Sequence, residues 1–177
     1  MPHSDMTLIF LMGRQRAGKD TVADYLVKEY GFEKLALADE VKDIAKDYFG
    51  MEEKDRGLLI QIGTKMREID PDVWINILWR LVTLRHRFGV DRFVIPDVRF
   101  PNEYEFFQKQ GGIPVRVDAP WSIRHLRPGY DEEFESDPTE TQLDEYPSKI
   151  TLFNWGTFDQ LYYQVDKFME YLGVDRR

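Results

Sequence analysis

Hydrophobic positions recur along the chain in two alternating rhythms. Thr7–Met12 (TLIFLM) is a short, nearly continuous apolar run, the pattern of a central parallel strand buried on both faces. From Thr21 to Tyr30, the residues Val22, Ala23, Leu26, Val27 and Tyr30 share one helical face, and Gly31 marks the stop. A second strand is predicted at 34–38 (KLALA), followed by helical patterns at 39–49, 55–69 and 71–88. A third strand is predicted at 92–97 (RFVIPD). Pro101 then opens a helix at a first-turn position, where its missing N–H costs nothing, and Gly111-Gly112 ends it. IPVRVD (113–118) and KITLFN (149–154) read as the fourth and fifth strands, and 157–172 as a closing helix. Between them, 119–148 is polar, contains four prolines and is predicted to be a loop; a loop this long in a compact domain is usually a functional lid or disordered. Strands alternating with helices predict a parallel α/β sheet covered on both faces, in a single domain over 1–177.

Charge and composition narrow the function classes. With Lys+Arg 24 against Asp+Glu 32, the net charge is −8, which argues against a broad basic footprint for a nucleic-acid polymer. A local basic pocket for a small anion remains compatible with it. The chain has no cysteine, so thiolate zinc sites, disulfides and cysteine nucleophiles are excluded, and its three histidines make a histidine-rich metal site a poor reading. No apolar run approaches the roughly 18 residues of a membrane span. The expectation is a soluble, cytoplasmic protein with a ragged polar start over residues 1–6.

The most specific motif follows the first strand. Gly13-Arg14-Gln15-Arg16-Ala17-Gly18-Lys19-Asp20-Thr21 fits G-x-x-x-x-G-K, with Asp20 where Ser or Thr is more common and Thr21 one place later. Such a loop surrounds phosphates with backbone N–H groups, and the following helix N-terminus adds partial positive charge. Lys19 is expected to reach the β- and γ-phosphates, and Thr21 or Asp20 to help place Mg²⁺. Arg14 and Arg16 can touch phosphate or stand as solvated loop arginines.

Four further groups are candidates. Asp97 and Arg99 end the third strand, where ligands bind in open α/β sheets, and their spacing points both the same way. There a carboxylate can hold Mg²⁺ and an arginine can clamp a phosphate, or the two can form an internal pair. Gln61, Thr64 and Arg67 recur at spacings of three along one helix and, with Trp74 beyond them, can wall a nucleoside pocket; the three also fit a solvated helix face, and Trp74 a core stripe. In the 119–148 segment, Arg124 and Arg127 are lid arginines that can close over a transferring phosphoryl group, or parts of a charged loop. Asn154 and Gly156 follow the fifth strand, with Thr157 as a helix N-cap.

Taken in order, GRQRAGKDT, LIQIGTKMREIDPDVWIN, DVRFPNEYEFFQKQGG, DPTETQLD and ITLFNWGTFDQLYYQV resemble the phage-type deoxynucleoside monophosphate kinases over nearly the whole chain. The resemblance implies a P-loop kinase fold, a three-layer α/β/α arrangement around a five-stranded parallel sheet of order 2-3-1-4-5. It also implies a helical acceptor-binding region at about 39–88 and a lid at about 119–148. ATP with Mg²⁺ is the implied phosphoryl donor and a deoxynucleoside 5′-monophosphate the acceptor. The resemblance places Gly13, Arg16, Ala17, Gly18, Lys19, Asp20, Thr21, Asn154 and Gly156 on the ATP side. Gln61, Arg67, Trp74, Arg99 and Glu140 fall on the monophosphate side, and Asp20, Thr21 and Asp97 near the metal. Lys19, Asp97, Arg99, Arg124 and Arg127 are the implied catalytic set. Asp137-Pro138-Thr139-Glu140 departs from the family's more usual His-Pro-Ser-Glu, which bears on base selectivity. Dephospho-coenzyme A kinases and animal-type phosphomevalonate kinases share the architecture, and a non-kinase P-loop regulator is the alternative of another class. The expected partners are small-molecule nucleotides, with no nucleic-acid polymer and no membrane; a homodimer is an open assembly state.

Overall fold

The computed structural model describes residues 6–177. Strand β1 (Thr7–Met12) leads through the glycine-rich turn into helix α1 (Lys19–Tyr30) and then strand β2 (Glu33–Lys34). Three helices follow: α2 (Leu37–Phe49), α3 (Arg56–Ile69) and α4 (Val73–Arg87). Strand β3 (Arg92–Ile95), helix α5 (Pro101–Lys109) and strand β4 (Ile113–Asp118) come next. The chain then makes α6 (Trp121–Arg124), a 3-10 turn (Glu132–Phe134) and α7 (Pro138–Thr141) before β5 (Ile150–Phe153) and α8 (Phe158–Leu172).

The sheet is parallel throughout, in the order β2-β3-β1-β4-β5, as the resemblance implied. Its central strand explains the apolar run in TLIFLM, because alternate residues face opposite layers. Leu8, Phe10 and Met12 pack into a core with α2, α4 and α5, whereas Ile9 and Leu11 pack into a second core with α1 and α8. Register fixes this arrangement: Ile9 sits opposite Val94 on one side and Ile113 on the other.

Two boundaries differ from expectation for physical reasons. The second strand is not 34–38 but two residues long, and α2 begins at Leu37 instead of 39. The Asp97 carboxylate accepts the backbone N–H of Leu37 and of Ala38, both at 2.9 Å, and so caps a helix start from across the sheet. That capping group is remote in sequence, and the local KLALA pattern carries no trace of it. The third strand stops at Ile95, since Pro96 has no N–H to continue the ladder. Thr157 caps α8 as predicted, accepting from the Gln160 N–H at 3.3 Å.

The carboxyl ends of the strands gather Gly13, Asp97, Asp118 and Asn154 along one edge of the sheet, where α/β proteins place their ligands. Among the described residues, no helix is long and apolar enough to cross a membrane.

Candidate active site

The glycine-rich turn is shaped by what lies beneath it. Gly13 has φ 137°, and a Cβ there would overlap the carbonyl oxygen of Val117 on β4. Gly18 has φ 110°, and a Cβ there would overlap the Asn154 side chain. Asn154 is buried and donates from Nδ2 to the Ala17 carbonyl at 2.8 Å, so the loop after β5 latches the turn. Arg16 is the one non-glycine residue with positive φ (59°) among the described residues, a strained conformation for a long side chain.

Lys19 is only 8% exposed. Its Nζ donates back to the carbonyls of Gly13 (2.6 Å) and Arg14 (2.9 Å), inside the loop whose phosphates it is expected to hold. Burial, helped by the positive charge of Arg99, lowers the ammonium from its ordinary 10.5 to about 8. Burial likewise raises the Asp97 carboxyl despite its two backbone N–H bonds. Asp20 lines the cleft, but its carboxylate is exposed and tied to Lys34 at 2.7 Å; burial pushes it up, yet the bond and charge of Lys34 hold it below the usual range.

Above the turn lies a cleft of about 1040 Å³, lined by Arg16, Gly18, Lys19, Asp20, Thr21, Asp97, Arg99, Arg127, Glu140, Asn154 and Gly156. Lys42, Lys54 and Arg56 also face it. Seven basic side chains against three acidic ones give the cleft a net +4 on a chain of net −8. The local basic pocket that the composition left open is therefore present.

A second cavity of about 210 Å³ adjoins it, between α2, α3 and α5. Leu37, Val41, Leu59, Ile60 and Phe100 give it apolar walls, while Thr64, Arg67 and Glu103 bring polar groups. Arg67 lies over the Phe100 ring (4.3 Å to the centroid) and pairs with Glu103 at 3.2 Å. Glu103 is 2% exposed; burial raises its carboxyl, which also accepts the Arg99 N–H (2.8 Å) and the Phe100 N–H (3.1 Å). One buried carboxylate thus positions both arginines expected at the acceptor. Ala38, Arg56, Asp97, Arg99 and Glu140 line both spaces, so the large cleft and the small cavity meet at a single junction.

Several expected site residues lie elsewhere. Gln61 is exposed and lines neither space. At about 100° per residue, Ile60, Thr64 and Arg67 share the side of α3 that lines the small cavity, and Gln61 stands roughly 120° away from Arg67. Trp74 is a core residue, 2% exposed, whose indole N–H donates to the Gly63 carbonyl at 3.3 Å; it supports α3 from behind. Ala17 is wholly buried beneath the turn and contributes through its backbone.

Arg124 is not a free lid arginine. It is 4% exposed, makes a two-pronged bond to Glu135 (2.6 and 2.9 Å) and donates to the carbonyls of Ala119 and Gln15. Arg14 neither reaches the cleft nor stands in solvent; it pairs with Asp144 at 2.5 Å and with Glu135 at 3.4 Å. Arg127 does face the cleft, braced by donation to the carbonyls of Arg16 (2.5 Å) and Asn154 (2.9 Å).

The 119–148 segment is likewise not an unanchored loop. Besides its two short helices, it is bound to the phosphate turn through Gln15, which exchanges two bonds with the Asp131 backbone (2.7 and 3.2 Å). Glu140, 6% exposed, accepts the Gln15 N–H at 2.5 Å and pairs with Arg99. Apolar periodicity underestimated this segment because polar pairs hold it.

Comparison with known proteins adds the chemistry. A sequence model of the deoxynucleotide monophosphate kinase family matches residues 7–66. The chain is 29% identical to a protein of Acanthamoeba polyphaga mimivirus provisionally named a deoxynucleotide monophosphate kinase, over 90% of this chain and 94% of that one. It is 30% identical to the uncharacterized protein ORF77 of Ictalurid herpesvirus 1, over 92% of this chain and 70% of that one. The chain belongs to the deoxynucleotide monophosphate kinase family. The solved structure of a sugar kinase from a Janibacter species shares the fold, with a TM-score of 0.59 at 19% identity over 96% of this chain and 95% of that one. Family and fold together make the protein a kinase, a phosphotransferase of P-loop architecture.

Within that family frame, sequence reading missed Glu103, Arg56 and Gln15. Glu103 stands two residues after Pro101, inside the quoted DVRFPNE motif, and an acid in the first turn of a proline-opened helix was the available signal. Arg56 and Gln15 act through partners more than 70 residues away, and no local pattern marks them.

Proposed function

We propose that the protein transfers the γ-phosphoryl group of ATP to a deoxynucleoside 5′-monophosphate. The observation that carries this reading is the pair of adjoining spaces. One is large, basic and floored by the phosphate turn; the other is small, with an apolar wall and three arginines, of which Arg56 and Arg99 face both. In the large cleft, the turn's N–H groups, Lys19 and Arg127 would bind the donor phosphates. In the small cavity, Arg67 and Arg99 would hold the acceptor phosphate while Leu37, Val41, Leu59 and Phe100 cover its nucleoside. An anionic acceptor suits paired arginines, whereas a neutral sugar acceptor would leave them without a ligand.

The Thr21 hydroxyl and the Asp97 carboxylate fit Mg²⁺, since both are hard oxygen donors on the cleft wall. A cation placed there would take most of its remaining ligands from phosphate and water oxygens. When bound, Mg²⁺ supplies neutralisation of the β- and γ-phosphates. The rest is positioning: a monophosphate is already a nucleophile at neutral pH, so the protein's task is to align two anions and offset their repulsion. The reading implies small-molecule partners only and a cytoplasmic site of action, where ATP is available.

The test is a coupled assay of ADP release with ATP alone and with each ribo- and deoxynucleoside monophosphate, with dephospho-coenzyme A, phosphomevalonate and a sugar as controls. Diphosphate formation from one or more deoxynucleoside monophosphates is expected. Turnover confined to a control acceptor would refute the reading.

A further inference from the structure

Two cations line both spaces, Arg56 and Arg99. They differ in how far the protein has already used them. Arg99 is ion-paired with the buried carboxylate of Glu140 and donates to the Thr139 carbonyl at 3.0 Å. Arg56, the first residue of α3, donates no hydrogen bond to any described residue. Its guanidinium rests on the face of Phe134, with Cζ 3.7 Å from the ring centroid. Its one ion pair among the described residues is with Asp131, at 3.6 Å and 40% exposed, beyond hydrogen-bond range; Asp137 feels its charge from farther off. A π face orients a guanidinium while leaving its N–H edge unspent. Arg56 is thus a planar cation, held by stacking, with its whole donor set open at the place where donor and acceptor spaces join.

Resting on the acceptor reading above, we propose that Arg56 is a further catalytic residue, which contacts the phosphoryl group in flight between ATP and the monophosphate. In that step an oxygen lone pair of the acceptor phosphate forms a bond to the γ-phosphorus. The bond from the γ-phosphorus to the β,γ-bridging oxygen breaks, and its electron pair leaves with ADP. Atoms and charge balance without an added proton or base. Negative charge spreads over the equatorial oxygens of the transferring group, where a planar five-donor cation is most effective. Phe134 and Asp131 belong to the 119–148 segment, and Asp131 is bonded through its backbone to Gln15 of the phosphate turn. The orientation of Arg56, a residue of the acceptor helix, is therefore set from the donor side.

The experiment compares Arg56→Ala, Arg56→Lys and Asp131→Asn with the wild type, using ATP and whichever deoxynucleoside monophosphate the wild type uses best. Circular dichroism and thermal melts establish folding, and Arg56→Gln replaces any Arg56→Ala protein that fails to fold. Arg56→Ala is expected to lower kcat on the order of 10²-fold or more. Binding of a non-hydrolysable ATP analogue should stay near wild type, and Arg56→Lys should recover only part of the rate. Added guanidinium ion should raise kcat of Arg56→Ala and leave wild type unchanged. Asp131→Asn, which removes only the ion pair, should cost far less. Wild-type kcat in Arg56→Ala would overturn the proposal. So would a loss matched by Asp131→Asn and insensitive to guanidinium, because that pattern belongs to a residue that merely tethers the segment. A wild type that phosphorylates no monophosphate would instead refute the acceptor reading.

Discussion

Lys19 offers the sharpest link between burial and chemistry. Its ammonium titrates at about 8 in the folded protein instead of 10.5, with burial the main cause. At 1.36 kcal/mol per pH unit, that gap means that holding Lys19 charged in the nucleotide-free protein costs about 3 kcal/mol. The sign follows from proton counting. Between pH 8 and 10.5 the unfolded chain keeps the proton and the folded one has lost it, so this contribution to stability rises with pH across that window. Below pH 8 the penalty is present in full. The perturbation is Lys19→Met, which keeps the apolar stem and removes the charge. Urea denaturation of both proteins without nucleotide, at several pH values from 6 to 10.5, gives their stability difference. That difference should be flat below about pH 8. It should then shift in favour of the wild type by up to about 1.4 kcal/mol per pH unit, about 3 kcal/mol in total. Loss of the bonds to the Gly13 and Arg14 carbonyls adds an offset largely independent of pH, and subtracting the variant cancels the tyrosines, which also titrate there. The same linkage predicts that ATP affinity weakens above about pH 8, as the ammonium that meets the phosphates is lost. A stability difference constant from pH 6 to 10.5 would refute the assignment of a strained, buried ammonium.

Other outcomes follow from the same geometry. Arg67→Ala and Arg99→Ala should each raise the KM for the monophosphate about 10- to 100-fold, with ATP-analogue affinity retained in nucleotide titrations, because a charge-assisted contact is worth about 1.5–3 kcal/mol. Arg124→Ala should destabilise the fold by about 3–5 kcal/mol in urea titrations, since it strips a buried partner from Glu135 and leaves two carbonyls without donors. Gly13→Ala should cost well above the roughly 1–3 kcal/mol of backbone strain alone, as its Cβ overlaps the Val117 carbonyl. Gly50→Ala, also at positive φ (65°) but with nothing within 4 Å, should show the strain by itself.

The fold was legible because its signals are local. The run in TLIFLM is apolar on both faces and forms the central strand, flanked by β3 and β4, with a core on each side. Gly31, Pro101 and Thr157 punctuate helices through their own backbone or side-chain chemistry, and each stands where it was expected. The two-residue β2 was not legible, since the group that ends it is Asp97, 60 residues away from Leu37.

The site divides along the same line. Its backbone half was readable as geometry: a glycine-rich turn was expected between a buried strand and an amphipathic helix, and the cleft lies over it. Its arginines were readable as residues but not as roles, because an arginine's role depends on which carboxylate reaches it. Arg67 and Arg99 look alike in sequence to Arg14 and Arg124. Yet Glu103 and Glu140 hold the first pair at the wall of the acceptor cavity, whereas Asp144 and Glu135 draw the second pair out of the cleft. Sorting a binding arginine from a structural one is therefore a question about the buried acids. These four pairings join residues between 11 and 130 positions apart, a separation that leaves no periodic trace along the chain.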